Sequence, residues 1–251
     1  FNEMVSQIFT EQSSIGIKRK KGSFFIKNNQ IGFLDLDLNT DNRGLIFDIF
    51  IELGKSKKIN EINSQSISTL KRSNKLINNS FKKDRLISKK FIQILKSEQN
   101  LSSILRTMKN VGVLQSYIPD FAEIVGQMQF DLFHIFTVDE HTFKVVRNMR
   151  QMKINYSDEF RLENELIKKI PKIEILYIAG LFHDLGKGKG GNHSEIGAKI
   201  SRDFAKRLGL SLADSDLISW LVLHHLKMSS ISQRQDISDT KTISEFADIV
   251  L

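Results

Sequence analysis

Hydrophobic and polar positions alternate over the first clear element of the chain. Two short β-prone runs, Ser23–Ile26 and Ile31–Asp37, flank the turn-forming Lys27–Gln30, so Gly22 to Asp37 reads as a hairpin. Thr40 and Asp41 then offer caps for a helix whose stripe is Leu45, Ile46, Ile49 and Phe50 and which stops at Gly54. From Asn60 to Gly112 the apolar period is helical, with Phe91, Leu95, Leu101, Ile104, Leu105 and Met108 on buried faces. Pro119 marks a turn. Four more helices follow residue 130. The first runs from about Val138 to Met152, where His141, Val145, Met149 and Met152 repeat at helical spacing. The second, Ile173 to Phe182, is apolar nearly all round, as a central helix is. Asn192 and Glu195 form a capping box for the third, with the stripe Ile196, Ile200, Phe204 and Leu208 closed by Gly209. The fourth covers Asp214 to Met228, with Leu217, Trp220, Leu221, His224 and Met228 as its expected inner face and His225 about 100° around from His224. The predicted fold is mainly α: a helical linker plus a helical bundle, with a small β-hairpin near the N-terminus.

Composition narrows the chemistry. A chain of 251 residues can bury a substantial core. It has no cysteine, which excludes disulfides and thiol nucleophiles and fits a cytoplasmic location. The longest apolar run, Ile175 to Phe182, is far short of the roughly 20 residues a bilayer requires, so no membrane role is expected. The chain opens at Phe1 with no basic or apolar leader, and the expectation is a segment of something longer.

The net charge is +8, yet twelve Lys or Arg against three acids lie between Lys55 and Asn100, leaving −1 for the remainder. The basic excess therefore belongs to one helical stretch and reads as a solvated face. Only Phe81 and Phe91 interleave with it, so no stacking platform for nucleic acid is evident.

All six histidines (His134, His141, His183, His193, His224 and His225) fall between residues 134 and 225. An imidazole on an apolar helix face is costly unless its nitrogens are satisfied. One such residue reads as a hydrogen-bonded core histidine. Four helices each directing one inward, together with a carboxylate, suit a divalent transition ion such as Zn, Mn, Fe, Co or Ni. His183-Asp184, at the end of the most buried helix, is the sharpest feature.

The ordered series His141, His183-Asp184, His193 and His224-His225 resembles the HD superfamily of metal-dependent phosphohydrolases. The segments Gly112–Arg150, Leu181–Ala198 and Trp220–Asp239 narrow the resemblance to the bifunctional uridylyltransferase/uridylyl-removing enzymes of bacterial nitrogen signalling. That resemblance extends back to about Lys18. It implies residues 1–54 as the tail of a nucleotidyltransferase domain, 55–133 as a helical linker and 134–251 as an HD domain cut short at its C-terminus. It implies that such a domain removes UMP from a tyrosine of uridylylated PII, the signalling protein, using one or two divalent ions (Mn, Fe, Zn, Co or Mg). By the same resemblance His141, His183 and Asp184 form the core metal site. His193, His224 and His225 can complete a second one bridged by Asp184, as in two-metal members of the superfamily. From its place just past the His183-Asp184 pair, Lys187 reads either as the charge that neutralises a phosphate oxygen or as a surface lysine in a glycine-rich loop.

Gly22-Ser23 is followed by Phe-Phe, not by the paired aspartates a nucleotidyltransferase needs, so that site is expected to be absent. HD enzymes supply one more carboxylate. Asp236 is a candidate, and the alternative is a residue beyond Leu251. His134 is a candidate for orienting a ligand, and Asp139 and Glu140 read as helix-start acids. Two competing readings stay open: an HD hydrolase of free nucleotides or cyclic dinucleotides, and a non-catalytic HD domain that senses or scaffolds.

Overall fold

The computed structural model describes residues 19–97, 99, 101–128, 136–154 and 160–250. Strands β1 (Arg19–Lys21), β2 (Phe24–Lys27) and β3 (Gln30–Phe33) form an antiparallel meander, and β4 (Glu61–Ile62) joins β3 in parallel. The β2–β3 turn is Asn28-Asn29, with φ of 50° and 61°. Asparagine is among the few non-glycine residues that tolerate this left-handed backbone, and two such residues in succession make a tight hairpin turn.

Helix α1 (Leu45–Gly54) starts later than its expected caps. Neither Thr40 nor Asp41 caps it. Asn39 and Asn42 instead hold a local turn: Asp41 N donates to Asn39 Oδ1 and Asn39 N to Asn42 Oδ1, and this competes with a helical start. Helices α2 (Ser64–Ser73), α3 (Asn79–Lys83), α4 (Arg85–Leu95), α5 (Leu101–Asn110) and α6 (Val113–Tyr117) complete the first region. Asn63, Asn78 and Asp84 cap α2, α3 and α4 through their side chains. A 3₁₀ turn, Pro119–Ile124, begins at the expected proline.

The second region holds α7 (Val138–Ile154), α8 (Arg161–Lys169), α9 (Ile173–Phe182), α10 (His193–Leu208), α11 (Leu212–Leu223), α12 (Lys227–Arg234) and α13 (Thr240–Val250). A 3₁₀ turn, Leu185–Lys189, links α9 to α10. The centre is α9, buried on all sides as its composition requires.

Aromatic contacts make the two regions share one core. Phe204 of α10 meets Phe91 of α4 edge-on with centroids 5.6 Å apart, and it meets Tyr117 of α6 at 6.1 Å. Such pairs each add about 0.5–1.5 kcal/mol beyond area burial. Arg207 seals the junction. Its guanidinium lies over the Tyr117 ring and donates to the carbonyls of Lys82 and Tyr117, both at 3.0 Å. No helix among the described residues is long and apolar enough to cross a membrane.

Three helix phases differ from the expected ones. The core face of α7 is Val138, Asp139, Thr142, Phe143 and Val146, while His141, Val145 and Met149 line a cavity beside it. In α11 the buried face is Ser215, Ile218 and Val222, and Leu217 is exposed; the helix ends at Leu223, so Met228 falls in α12 and is exposed too. On α10 the small residues Gly197, Ala198 and Ser201 make the close contact that Ile196 and Ile200 were expected to make. The heavy packing of α10 on α11 favours small side chains there, and the isoleucines lie half-buried at its edges.

Candidate metal centre

Helix ends build the centre. His141 lies in the first turn of α7, His183 caps the C-terminus of α9, His193 opens α10, and His225 follows the end of α11. The chain between His183 and His193 must fold back tightly. Gly186 makes that possible: a Cβ there would stand 2.1 Å from the His193 carbonyl oxygen, so no other residue fits. Asn192 then caps α10 through Ser194 N, and its amide donates to Glu195 Oε1 at 2.8 Å, a side-chain version of the expected capping box.

Asp184 is the hub. It is 2% exposed, and its two oxygens face different imidazole pairs. Oδ2 lies 3.1 Å from His183 Nε2 and 3.7 Å from His141 Nε2. Oδ1 lies 3.7 Å from His225 Nε2 and 3.9 Å from His193 Nε2. The ligand atoms of His141, His183 and Asp184 all fall within 4.8 Å of one another, as do those of Asp184, His193 and His225.

Second contacts fix the ring orientations. His183 Nδ1 stands 2.8 Å from the Gly180 carbonyl and His225 Nδ1 stands 2.7 Å from that of Val222. A carbonyl only accepts, so Nδ1 donates in both rings and each Nε2 is turned toward Asp184.

Electrostatics matches this arrangement. Burial raises the Asp184 pKa, but the His183 and Lys187 partners outweigh it and hold the carboxyl well below the ordinary carboxylate range. Burial lowers the pKa of His193 and of His225, which favours the neutral, ligating imidazole. Asp184 Oδ1, His193 Nε2 and His225 Nε2 are buried with no hydrogen-bond partner. Orphaned acceptors converging on one point are costly unless something positive lies between them. The donor set of imidazoles and one carboxylate is compatible with a divalent metal.

Of the residues singled out in the sequence, His141, His183, Asp184, His193, His225 and Lys187 come together; Lys187 Nζ lies 2.8 Å from Asp184 Oδ2. His224 does not. Its ring packs on Trp220 at 4.9 Å, because the inward phase of α11 runs through Ile218 and Val222 to residue 225. Asp236 is also elsewhere: its exposed carboxylate accepts from Ser238 N and Oγ and shapes the turn before α13. His134 lies outside the described residues.

Sequence reasoning missed the support around the centre. Asp139 is buried between Lys109 Nζ and Gly126 N, and Glu140 accepts from Arg106 and Lys109. Gln127 Nε2 donates to the Lys187 carbonyl and Lys189 pairs with Asp120 and Glu123. The turn carrying Lys187 is thus gripped from the first region.

Two family models match successive parts of the chain. "Uridylyltransferase GlnD third domain" covers residues 24–117, and "HD domain" covers residues 138–250. The chain is 43% identical over 206 residues to the "Bifunctional uridylyltransferase/uridylyl-removing enzyme" of Ectopseudomonas mendocina, covering 82% of this chain and 23% of that protein. It is 36% identical over 252 residues to the protein so named from Nitrosococcus oceani, covering 98% of this chain and 28% of the relative. The chain belongs to the uridylyltransferase/uridylyl-removing enzyme family. A third relative of that name, from Azotobacter vinelandii, is 42% identical over 203 residues, 80% of this chain and 23% of its own. The chain spans about a quarter of the length of these relatives. The HD match contains every residue of the Asp184 cluster.

Proposed function

We propose that the Asp184 cluster is a metal-dependent phosphodiesterase centre that removes UMP from a tyrosine of uridylylated PII. The observation that carries this reading is the division of labour at Asp184: one oxygen toward His141 and His183, the other toward His193 and His225. With Asp184 shared, His141 and His183 on one side and His193 and His225 on the other would hold one or two divalent ions, which would supply the charge stabilisation that phosphoryl transfer needs. The names of the relatives supply the uridylyl-removing direction of the reaction. The centre would take Mn, Fe, Zn, Co or Mg, in a cytoplasmic enzyme whose HD region begins near residue 134.

A divalent ion held there supplies Lewis acidity toward the phosphoryl group and a water acidic enough to attack it near neutral pH. The chain's own residues do the rest. His141, His183, His193 and His225 present their Nε2 atoms toward the centre, and Asp184 stays ionised beside them. Lys187, paired with Asp184, lines the same cavity, where its charge would offset the charge that develops on a phosphate oxygen.

The test is hydrolysis of bis-p-nitrophenyl phosphate by the native chain and by His183→Ala/Asp184→Ala. Metal-dependent turnover in the native chain alone supports the reading. Equal turnover in both would contradict it.

A further inference from the structure

Three helices that bring an imidazole to the centre also carry aliphatic side chains behind it. On α7, Val145 and Met149 follow His141 at four-residue steps, about 6 and 12 Å along the axis. On α9, Leu176 and Ala179 precede His183 by two turns and one. On α11, Leu221 stands four residues before His225. All of these line one cavity of about 580 Å³ with His141, His183, Asp184, Lys187 and His225. The cavity has a charged end and an aliphatic lobe, and Ser229 is the one other polar side chain on its wall among the described residues.

Gly180 keeps the lobe open. A Cβ at this position would stand 2.9 Å from Met149 Sδ, 3.0 Å from its Cε and 3.6 Å from Val145 Cγ1. Met149 lies back against α9 because residue 180 has no side chain. A side chain there would force the thioether to shift, and the cavity that Met149 lines is the open space beside it.

We propose that this lobe receives the aromatic ring of an aryl phosphodiester, the leaving-group side of the substrate, while the nucleoside stays at the mouth. The inference rests on the phosphodiesterase reading and adds the orientation of the substrate. A tyrosyl ester whose oxygen lies at the centre presents C–H edges and π faces to the walls of the lobe, and its para carbon leads on through a methylene to the polypeptide. Aliphatic walls and a methionine sulfur suit such a ring, and sulfur–aromatic contacts are favourable. Uracil fits poorly, since its carbonyls and N–H would be stranded without partners. The first aliphatic layer lies about one helical turn, roughly 5.4 Å, behind the imidazoles, about the length of a phenyl ring along its ester axis.

Calorimetry on the full chain loaded with Mn²⁺ tests this with phenylphosphonate, methylphosphonate and UMP as probes. Phenylphosphonate is expected to bind roughly tenfold tighter than methylphosphonate, from burial of the ring. Gly180→Ala is expected to bring that ratio close to one, and Gly180→Ala/Met149→Ala to restore most of it, every ratio being read at equal bound Mn²⁺. A ratio near one in the native chain overturns the proposal, as does a ratio that Gly180→Ala leaves intact. Loss of UMP affinity in place of phenylphosphonate affinity puts the base in the lobe and overturns it too. Should Gly180→Ala not fold cooperatively, Leu221→Asn applies the same test from the opposite wall. Binding is read without turnover, so failure here is separate from failure to release UMP.

Discussion

Lys109 Nζ lies 2.8 Å from Asp139 Oδ2, and this pair ties α5 of the first region to the first turn of α7, two residues from His141. Asp139 is 2% exposed, so its charge depends on that partner. Burial raises the Asp139 pKa, but the Lys109 hydrogen bond, with others from Thr137 and Gly126, leaves it below its ordinary value.

Lys109→Met is expected to destabilise the chain by about 3 kcal/mol, the low end for a buried pair losing one member, because Gly126 N still serves Asp139. Lys109→Met/Asp139→Leu should recover most of the loss, since an apolar replacement leaves no unpaired charge. Urea unfolding reads both. A double variant no more stable than the single one would contradict the assignment.

His225→Ala and His224→Ala should separate cleanly. His225 faces Asp184 and His224 packs on Trp220. Metal affinity should fall roughly 100-fold or more in His225→Ala, beyond the usual effect of losing an outer partner, and change little in His224→Ala. Elemental analysis after dialysis measures it. Equal losses in the two would mean the ring orientations differ from those described.

The neighbouring histidines show why one member of a pair is hard to choose from sequence. Leu217, Trp220 and Leu221 suggest an inner face that continues to His224. The true buried face runs through Ser215, Ile218 and Val222, and its first member is a serine whose hydroxyl is satisfied by the Ser211 carbonyl. A one-residue error in phase is a rotation of 100°. By contrast, His183-Asp184 was legible because it closes a helix too apolar to lie anywhere but the centre. The Asn28-Asn29 turn, the Asn192 cap and the Gly209 stop were legible because local backbone chemistry demands those residues. The Lys109–Asp139 contact spans 30 residues and leaves no periodic trace. The expected cap at Thr40 failed for a local reason: Asn39 and Asn42 offer the backbone a competing turn.

Gly186→Ala should disable the centre without touching a ligand. Its Cβ would meet the His193 carbonyl at 2.1 Å, and both partners are backbone or backbone-attached, so the turn must move. Mn²⁺ affinity by calorimetry is expected to fall at least about tenfold, in line with displaced ligand support. Unchanged affinity would show that the 185–189 turn does not position His193.

Acid sensitivity should include Glu52, which pairs with Lys21 and Lys55. Burial raises its pKa, but the two lysines outweigh this and the net shift is downward. A carboxylate with a lowered folded pKa stabilises above its unfolded value, near about 4.3, and loses that contribution as pH falls through the folded value. The native chain should exceed Glu52→Gln by about 1 kcal/mol or less at pH 7, with the gap closing below about pH 4. Melting temperatures from pH 3 to 7 check this; a gap that widens in acid would reverse the sign.

The most direct test of the centre is UMP release from uridylylated PII by the metal-stripped chain as Mn²⁺ is added back, compared with Asp184→Asn. Release that rises with Mn²⁺ in the native chain and stays at background in Asp184→Asn is the predicted result. Release by the stripped chain at the same rate, or by Asp184→Asn at the native rate, would contradict a metal-dependent centre built on Asp184.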